Sequence, residues 1–482
     1  MTDSISAEGG RSERLPFRKR LPDFSVLKDR RVVSLIVAKN FSKLGIATIS
    51  YGAMVYLADS GASQIQVSIV GAMGYLAALL FGTQGGAVVD STTKRNAMIV
   101  GYCAQAALCF VFPTFFGTSV LDLTVLAFLV AAMATITSPA IKATVAVIAT
   151  PVAMAIVAAM LSLFGSLGTA VGQAFVAPVL IKVSGIELVM YVSGLILGAG
   201  AIWVYMSPSD EKSTGKSFRQ VVTSIDWKPN VFDFRGILDW IASNRVVATI
   251  VLVAAIVFAL SESLGTLIPV YMRDVLVADP ALSIYIFAPA GIGYLVGALV
   301  SPGLIGKYGE RRMGTIALLI CSGGIMLFGM IDLVAPFLAP FSPTRLFEVF
   351  FDVDLSEQML AAGFISIPAN FGSTAAGSSV QNFINRHLPV ASQGGVFGMQ
   401  KVIENILALT TVIGLGAIAT LIGSQAVFLI APAVVVAMVV WLLRYARRQT
   451  GTSESSREAL GELWNNAEDE AVALGAPAAS LP

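Results

Sequence analysis

Five ionisable side chains interrupt stretches otherwise suited to hydrocarbon: Lys39, Lys43, Glu262, Lys401 and Glu404. A charge in an apolar segment is costly, so such groups are functional candidates for binding a charged solute, carrying a proton or pairing with one another. Lys39 and Lys43 are four residues apart, which on a helix puts them on one face. Lys401 and Glu404 are three apart and suit an ion pair along a helix. At 1.5 Å per residue, Lys43 and Glu404 both fall roughly 15 Å from the starts of their segments. Lys43 facing Glu404 is therefore one way to neutralise both, while Lys39 can snorkel to the inner surface. Glu262 stands in Ser261-Glu262-Ser263. A carboxyl partly removed from water can load and release a proton; the alternatives are an outer-cavity charge or a structural hydrogen bond.

Neutral polar groups extend the candidate cavity: Asn40, Tyr51, Gln173, Asn370 and Gln381. Each serves equally well in interhelical hydrogen bonding. The 27 phenylalanines and 16 methionines would line an adaptable apolar pocket or simply pack. Metal and cofactor chemistry find no support. The single histidine is His387, and Cys103, Cys109 and Cys321 show no ligand or disulfide spacing. There is no H-E-x-x-H cluster and no G-x-x-x-x-G-K-[ST] loop, which argues against an enzyme and against ATP drive within this chain.

These groups must be held by membrane helices. The 482 residues are 56% hydrophobic and only 13% charged, with mean hydropathy +0.79. A soluble domain carries about 25% charged residues. Net charge +1 gives no nucleic-acid footprint, and the polar, basic first thirty residues do not form a cleavable signal peptide. A span needs about 20 mostly apolar residues. Twelve are expected, at 33–58, 65–89, 96–117, 120–144, 151–181, 186–206, 246–272, 281–306, 313–335, 358–385, 393–421 and 424–446. With both termini cytoplasmic, 25 of the 31 Lys/Arg fall on the inner side, Lys142 among them, and three on the outer. That is the positive-inside bias.

The chain thus divides into a basic tail (1–32), six spans (33–206), a cytoplasmic linker (207–245), six spans (246–446) and a C-terminal tail (447–482). Phe232, Ile237, Leu238, Trp240 and Ile241 predict a short amphipathic helix in the linker. The outer segment 336–357 reads as a solvated loop, and the tail after Gly451 as disordered apart from one short helix around Ser456–Ala471.

The two six-span halves repeat one another. Gly86-Ala-Val-Val-Asp90-Ser-Thr-Thr-Lys94-Arg95 follows the second span, and Gly303-Leu-Ile-Gly-Lys307-Tyr-Gly309-Glu-Arg311-Arg312 follows the eighth. Gly74-Tyr75-Leu76 corresponds likewise to Gly293-Tyr294-Leu295. Over about residues 33–446 this arrangement resembles the major facilitator superfamily, whose loop signature is G-x-x-x-D-(R/K)-x-G-(R/K)-(R/K). The first copy keeps Gly86, Asp90, Lys94 and Arg95; the second keeps Gly303, Arg311 and Arg312, with Lys307 in place of the acid. Ser138-Pro139-Ala140, Thr150-Pro151, Leu388-Pro389 and Gly395-Val396-Phe397-Gly398 are similar to the drug and siderophore exporters of the enterobactin-efflux branch. The antiporter signature of the fifth span survives as Gly168 and Gly172, with Gln173 where proline is expected.

The resemblance implies an all-α membrane protein of two six-helix bundles with a central site exposed by rocking. It also implies a gating role for the loop motif and proton-driven efflux of an amphipathic drug, siderophore or metabolite. An uptake permease or a lipid or lysolipid flippase is the alternative on the same architecture. The expected partners are a small-molecule substrate, a proton or other coupling ion and the bilayer of the plasma or inner membrane. The chain is expected to act as a monomer.

Overall fold

Hydrocarbon offers no hydrogen-bond partners, so each pass must satisfy its own backbone, and the chain does so with helices. The computed structural model describes residues 28–149, 151–208, 245–346, 354–387 and 390–450. The basic tail up to residue 27, the amphipathic linker helix and the helix around Ser456–Ala471 lie outside the described residues. In the first half run α1 (Arg30–Asp59), α2 (Gln64–Ser91), α3 (Lys94–Phe115), α4 (Val120–Ile148), α5 (Pro151–Val171) and α6 (Ala177–Met206). A π-helical turn, Gly172–Val176, joins α5 to α6. α6 leaves helical geometry at Ser184 and Gly185, the latter with φ +75°. The fifth pass therefore ends inside α6, and the sixth begins after that turn.

The second half runs through α7 (Arg245–Asp274), α8 (Ile284–Tyr308), α9 (Glu310–Gly329), the short α10 (Ile331–Leu338), α11 (Glu357–His387), α12 (Val390–Ile422) and α13 (Ser424–Thr450). Among the described residues, ten stretches are long and apolar enough to cross a bilayer, and one of them, Ile156–Met206, holds both the fifth and sixth passes. α11 has the length but not the hydropathy, because Ser366, Asn370, Ser373, Thr374, Ser378, Ser379, Gln381 and Asn382 lie along it. A polar helix of this kind is stable in a membrane only when neighbouring helices surround it. The ninth pass is shorter than expected. It breaks at Met330, and the chain then turns into α10. The outer segment is exposed over most of its described residues, Phe337, Phe341 and Leu346 among them, but it is anchored at a few points. Ala339, Ser342 and Thr344 are buried, with Thr344 packed on Gly363 of α11; residues 347–353 lie outside the described ones.

Each half has its own core. One cluster joins residues of α1–α6, including Ile49, Val67, Tyr102, Leu126 and Leu197, and takes in Val270 and Ala281 from the second half; the other joins α7–α13 around Leu267, Tyr271, Phe328, Ile365 and Phe428. Lipid supplies no hydrophobic drive between helices, so close packing at small residues must do so. A side chain on Gly85 would overlap the Thr135 carbonyl of α4, and one on Gly293 would overlap the Ile367 carbonyl of α11. Buried tyrosines pin long helices together: Tyr102 donates to the Ala38 carbonyl at 2.7 Å, and Tyr271 to the Phe328 carbonyl at 2.7 Å.

The glycine contacts predict opposite signs for one substitution. Gly82→Ala meets no neighbour within 4 Å; it is expected to be neutral or to stabilise by up to about 1 kcal/mol through helix propensity. Gly85→Ala must push α2 from α4 and is expected to cost about 1–3 kcal/mol. Thermal unfolding of the purified protein in one detergent distinguishes the two; equal shifts would contradict the packing.

Candidate substrate cavity and coupling site

The halves meet through the outer parts of their helices. Arg273 of α7 donates to the carbonyls of Ala58 and Ala62, at 2.7 and 3.0 Å. The Ile65 amide donates to Thr420 Oγ1 at 3.0 Å, and the Tyr51 ring meets Phe287 edge-on with centroids 5.1 Å apart. A side chain on Gly71 would lie 2.5 Å from Thr266, and one on Gly416 would overlap Ser68. On the inner parts of the same α2 and α12, Gly82, Gly86 and Gly398 have nothing within 4 Å. The hydrogen bonds between the halves from Arg273 and Ile65 lie at the outer ends of their helices, so the space between the halves opens toward the side of the basic loops.

Two tyrosines at repeat-related positions bridge the halves above that space. The Tyr75 hydroxyl donates to Glu262 at 2.6 Å, and the Tyr294 hydroxyl shares a 2.6 Å hydrogen bond with Ser166. Below them, lysines converge. Lys43 is solvent-exposed within α1, although the residues on either side of it are not. It lies within electrostatic range of Glu262, Lys401 and Lys142. Lys39 lies within range of Lys43 and Lys142, its stem packed over Gly165.

Glu404 is only 7% exposed. It accepts from Lys401 at 2.8 Å and from Gln400 at 2.8 Å, and the Lys401 ammonium sits 4.7 Å from the centre of the Phe258 ring. The expected Lys43–Glu404 facing pair is thus replaced by a pair within α12. Lys142 is corrected too. It lies inside α4, less than two turns from its end, and not on a connection.

The remaining candidates scatter. Asn40 donates to the Ile36 carbonyl at 3.1 Å and lines an apolar groove with Val33, Ile36, Val37, Phe41, Leu44 and Phe164, with a cavity of about 380 Å³. Asn370 donates to the Ser366 carbonyl at 3.0 Å. Gln381 is exposed on the inner part of α11. Tyr51 is fully buried in the closed outer contact rather than lining the cavity. Gln173 is half-buried in the π-helical turn, a distortion frequent at functional sites. The turn and the stretch before it press against α1. Side chains on Gly165, Gly168 and Gly172 would meet Lys39, Asn40 and the Leu44 carbonyl at 2.8, 2.9 and 2.8 Å.

The sequence profile described as Major Facilitator Superfamily matches residues 40–399. The chain belongs to the Major Facilitator Superfamily. Comparison with curated proteins gives no match. Among solved structures, a mutant of the nucleoside transporter NupG is similar with TM-score 0.61 and 13% identity, covering 86% of this chain and 99% of its own. A POT family transporter in complex with a thioalcohol-conjugated peptide gives TM-score 0.63 and 12% identity, over 89% and 99%. A bacterial homologue of the human lysosomal transporter Spinster, in an inward-facing and occupied conformation, gives TM-score 0.63 and 12% identity, over 93% and 97%. At such identities the likeness is one of fold. The protein is a multi-pass membrane transporter of this superfamily rather than an enzyme.

The superfamily's loop motif is asymmetric here. Arg95 donates to the Tyr205 carbonyl and stacks on the Tyr205 ring, tying the first copy to the inner end of α6. Thr93 caps α3, accepting from the Asn96 amide at 3.3 Å, and Lys94 begins that helix half-buried. Asp90 is exposed and makes no hydrogen bond or ion pair with the described residues. In the second copy, Gly303 has no neighbour within 4 Å, Arg312 is exposed, and Gly309 turns the chain with φ +80°. The Arg311 side chain lies outside the described ones.

Sequence reasoning missed Tyr75, Tyr294 and Ser166 as bridging groups. The repeated Gly-Tyr-Leu was the available signal. A hydrogen bond to a charged group contributes about 1.5–3 kcal/mol. Tyr75→Phe is therefore expected to shift the protein toward an outer-open form by about tenfold or more. Ser68→Cys reports it, since Ser68 is buried in the outer contact. Labelling from outside by an impermeant maleimide should accelerate by that factor, and an unchanged rate would remove the bond from the closure.

Proposed function

We propose that this protein is a secondary exporter that moves an amphipathic small molecule outward across the cell membrane, driven by protons moving inward. The observation that carries this reading is the Tyr75–Glu262 hydrogen bond, a carboxylate held by the opposite half at the outer closure and within range of a cavity lysine. Opening outward must draw Tyr75 away from Glu262. The carboxylate then meets the outer solution without its donor and takes up a proton. Closing the outer side restores Tyr75, and the proton leaves inward. Loading outside and release inside is the order that proton-driven export requires.

Asp90, with Gly86, Lys94 and Arg95, would act at the other end of the cycle. With the cytoplasmic side closed, Asp90 would meet the positive end of a helix or a basic group across the interface. In the second copy, with Gly303, Arg311 and Arg312, Lys307 stands where the first copy has Asp90, and the acid that is present, Glu310, accepts from Asn382 within the same half, so that contact would depend on the first half. The choice of export rests on the similarity of the fourth, fifth, tenth and eleventh spans to the enterobactin-efflux branch. A second reading, lipid or lysolipid flipping, is favoured by the apolar groove along α1, which a chain could enter from the bilayer.

Inside-out vesicles carrying the full chain test the proposal. Dye or drug uptake should appear with an imposed pH gradient and collapse with an uncoupler. Glu262→Gln should lower gradient-driven uptake at least tenfold while substrate exchange at equal pH persists. Gradient-driven uptake at the wild-type rate in that variant would remove Glu262 as the coupling group.

A further inference from the structure

We propose that the substrate is an amphipathic anion, its carboxylate, sulfonate or phosphate group held among Lys39, Lys43 and Lys142 and its apolar part lying in the groove along α1. This rests on the transporter reading above but not on proton coupling.

The charges between the halves do not balance. Four lysines converge there, Lys39 and Lys43 from α1, Lys142 from α4 and Lys401 from α12, against two carboxylates, Glu262 and Glu404. Both carboxylates already have donors. Glu404 is held by Lys401 and Gln400, and Glu262 by Tyr75. Lys39, Lys43 and Lys142 make no hydrogen bond or ion pair with the described residues, yet lie close enough to repel one another. Ammonium groups gathered in a low-dielectric enclosure raise one another's energy, and an anion between them relieves that cost. Lys43 and Lys142 are also open to solvent, so a solute can reach them from the inner side.

The apolar part has its place beside them. Val33, Ile36, Val37, Asn40, Phe41 and Leu44 fall on one stripe of α1 by helical spacing. Lys39 and Lys43 lie on the adjoining stripe. The Lys39 stem runs over Gly165, next to Phe164, which closes the groove. At about 380 Å³, the groove is within the usual range for small-molecule sites, about 300–1,000 Å³. A cationic amphiphile would fit the groove but meet three like charges at its head.

The test uses permanently charged probes of equal chain length in proteoliposomes of neutral phosphatidylcholine. These are radiolabelled decanesulfonate, decyltrimethylammonium and, for an anion supplied by the bilayer, lysophosphatidate scored by extraction into albumin. Uptake is read by exchange at equal pH, and binding to nanodisc-held protein by scintillation proximity. Decanesulfonate or lysophosphatidate should bind and exchange, and decyltrimethylammonium should neither exchange nor displace them. Which anion moves identifies an aqueous or a bilayer source. Lys43→Gln and Lys142→Gln should each weaken anion binding by about tenfold or more, as for loss of one charge-assisted hydrogen bond, while Lys43→Arg retains it. Preference for the cation, wild-type anion binding in both Lys43→Gln and Lys142→Gln, or no displaceable anion binding and no exchange would overturn the proposal. Proton coupling fails separately: anion exchange that persists without any response to a pH gradient refutes the coupling and leaves the anion site standing.

Discussion

Moving a charge from water into hydrocarbon is costly, and that cost organises this molecule. Lys43, Lys142, Lys401, Glu262 and Glu404 all lie in the lipid-embedded part of the chain, and all face the space between the halves or its walls. None could be stable on the lipid-facing surface, where Leu195, Ile202, Leu319 and Val434 are exposed instead. The same constraint explains α11. Its hydroxyl and amide side chains disqualify it as an apolar span, but enclosed by its neighbours they satisfy themselves on its own backbone, as Asn370, Thr374 and Ser379 do.

Two kinds of contact follow, and they differ in permanence. Within a half, glycine lets backbones touch, as at Gly85 on Thr135 and Gly293 on Ile367, and such interlocked surfaces have no second arrangement available. Between halves, the outer contact is made by a few hydrogen bonds, from Tyr75, Tyr294 and Arg273, and by small residues such as Gly416 against Ser68. A surface held by a handful of polar bonds can part and reform at modest cost; a threaded core cannot. Rigid halves with a separable seam are what alternating access needs.

Much of this was legible in the chain. Apolar length and the bias of lysine and arginine give the number of passes and their orientation, because those are one-dimensional properties of the bilayer. What the sequence hid was mostly rotational. A depth estimate puts Lys43 and Glu404 level, but only the turn of each helix about its axis decides whether they meet, and Glu404 turns out to face Lys401 and Gln400. Lys142 counts among the inner-side charges although it falls at the inner end of the expected span 120–144, and α4 continues past it to Ile148. The Tyr75–Glu262 bond spans 187 residues. No local pattern can announce such a partner, although the repeated Gly-Tyr-Leu marked the position. The turn at Gly185 falls in the expected connection between 181 and 186, whereas the break at Met330 was blurred because apolar residues continue through it.

The repeat also separates what builds the fold from what the cycle would use. Equivalent tyrosines reach across the seam in both halves, which is the geometry that duplication provides. Their partners differ: Tyr75 meets a carboxylate, and Tyr294 meets the hydroxyl of Ser166. The loop motifs diverge in the same sense, with Asp90 in the first copy and Lys307 in the second. A symmetric pair of acids would have put two proton sites and two acidic latches on a seam that opens at one end at a time. With Glu262 bonded only from Tyr75's side of the seam and Asp90 only in the first loop copy, the two ends carry different charge-dependent contacts. The departures from symmetry are therefore where the two halves stop being interchangeable, and among the bridging tyrosines and loop motifs they fall on the partner of Tyr75, Glu262, and on Asp90.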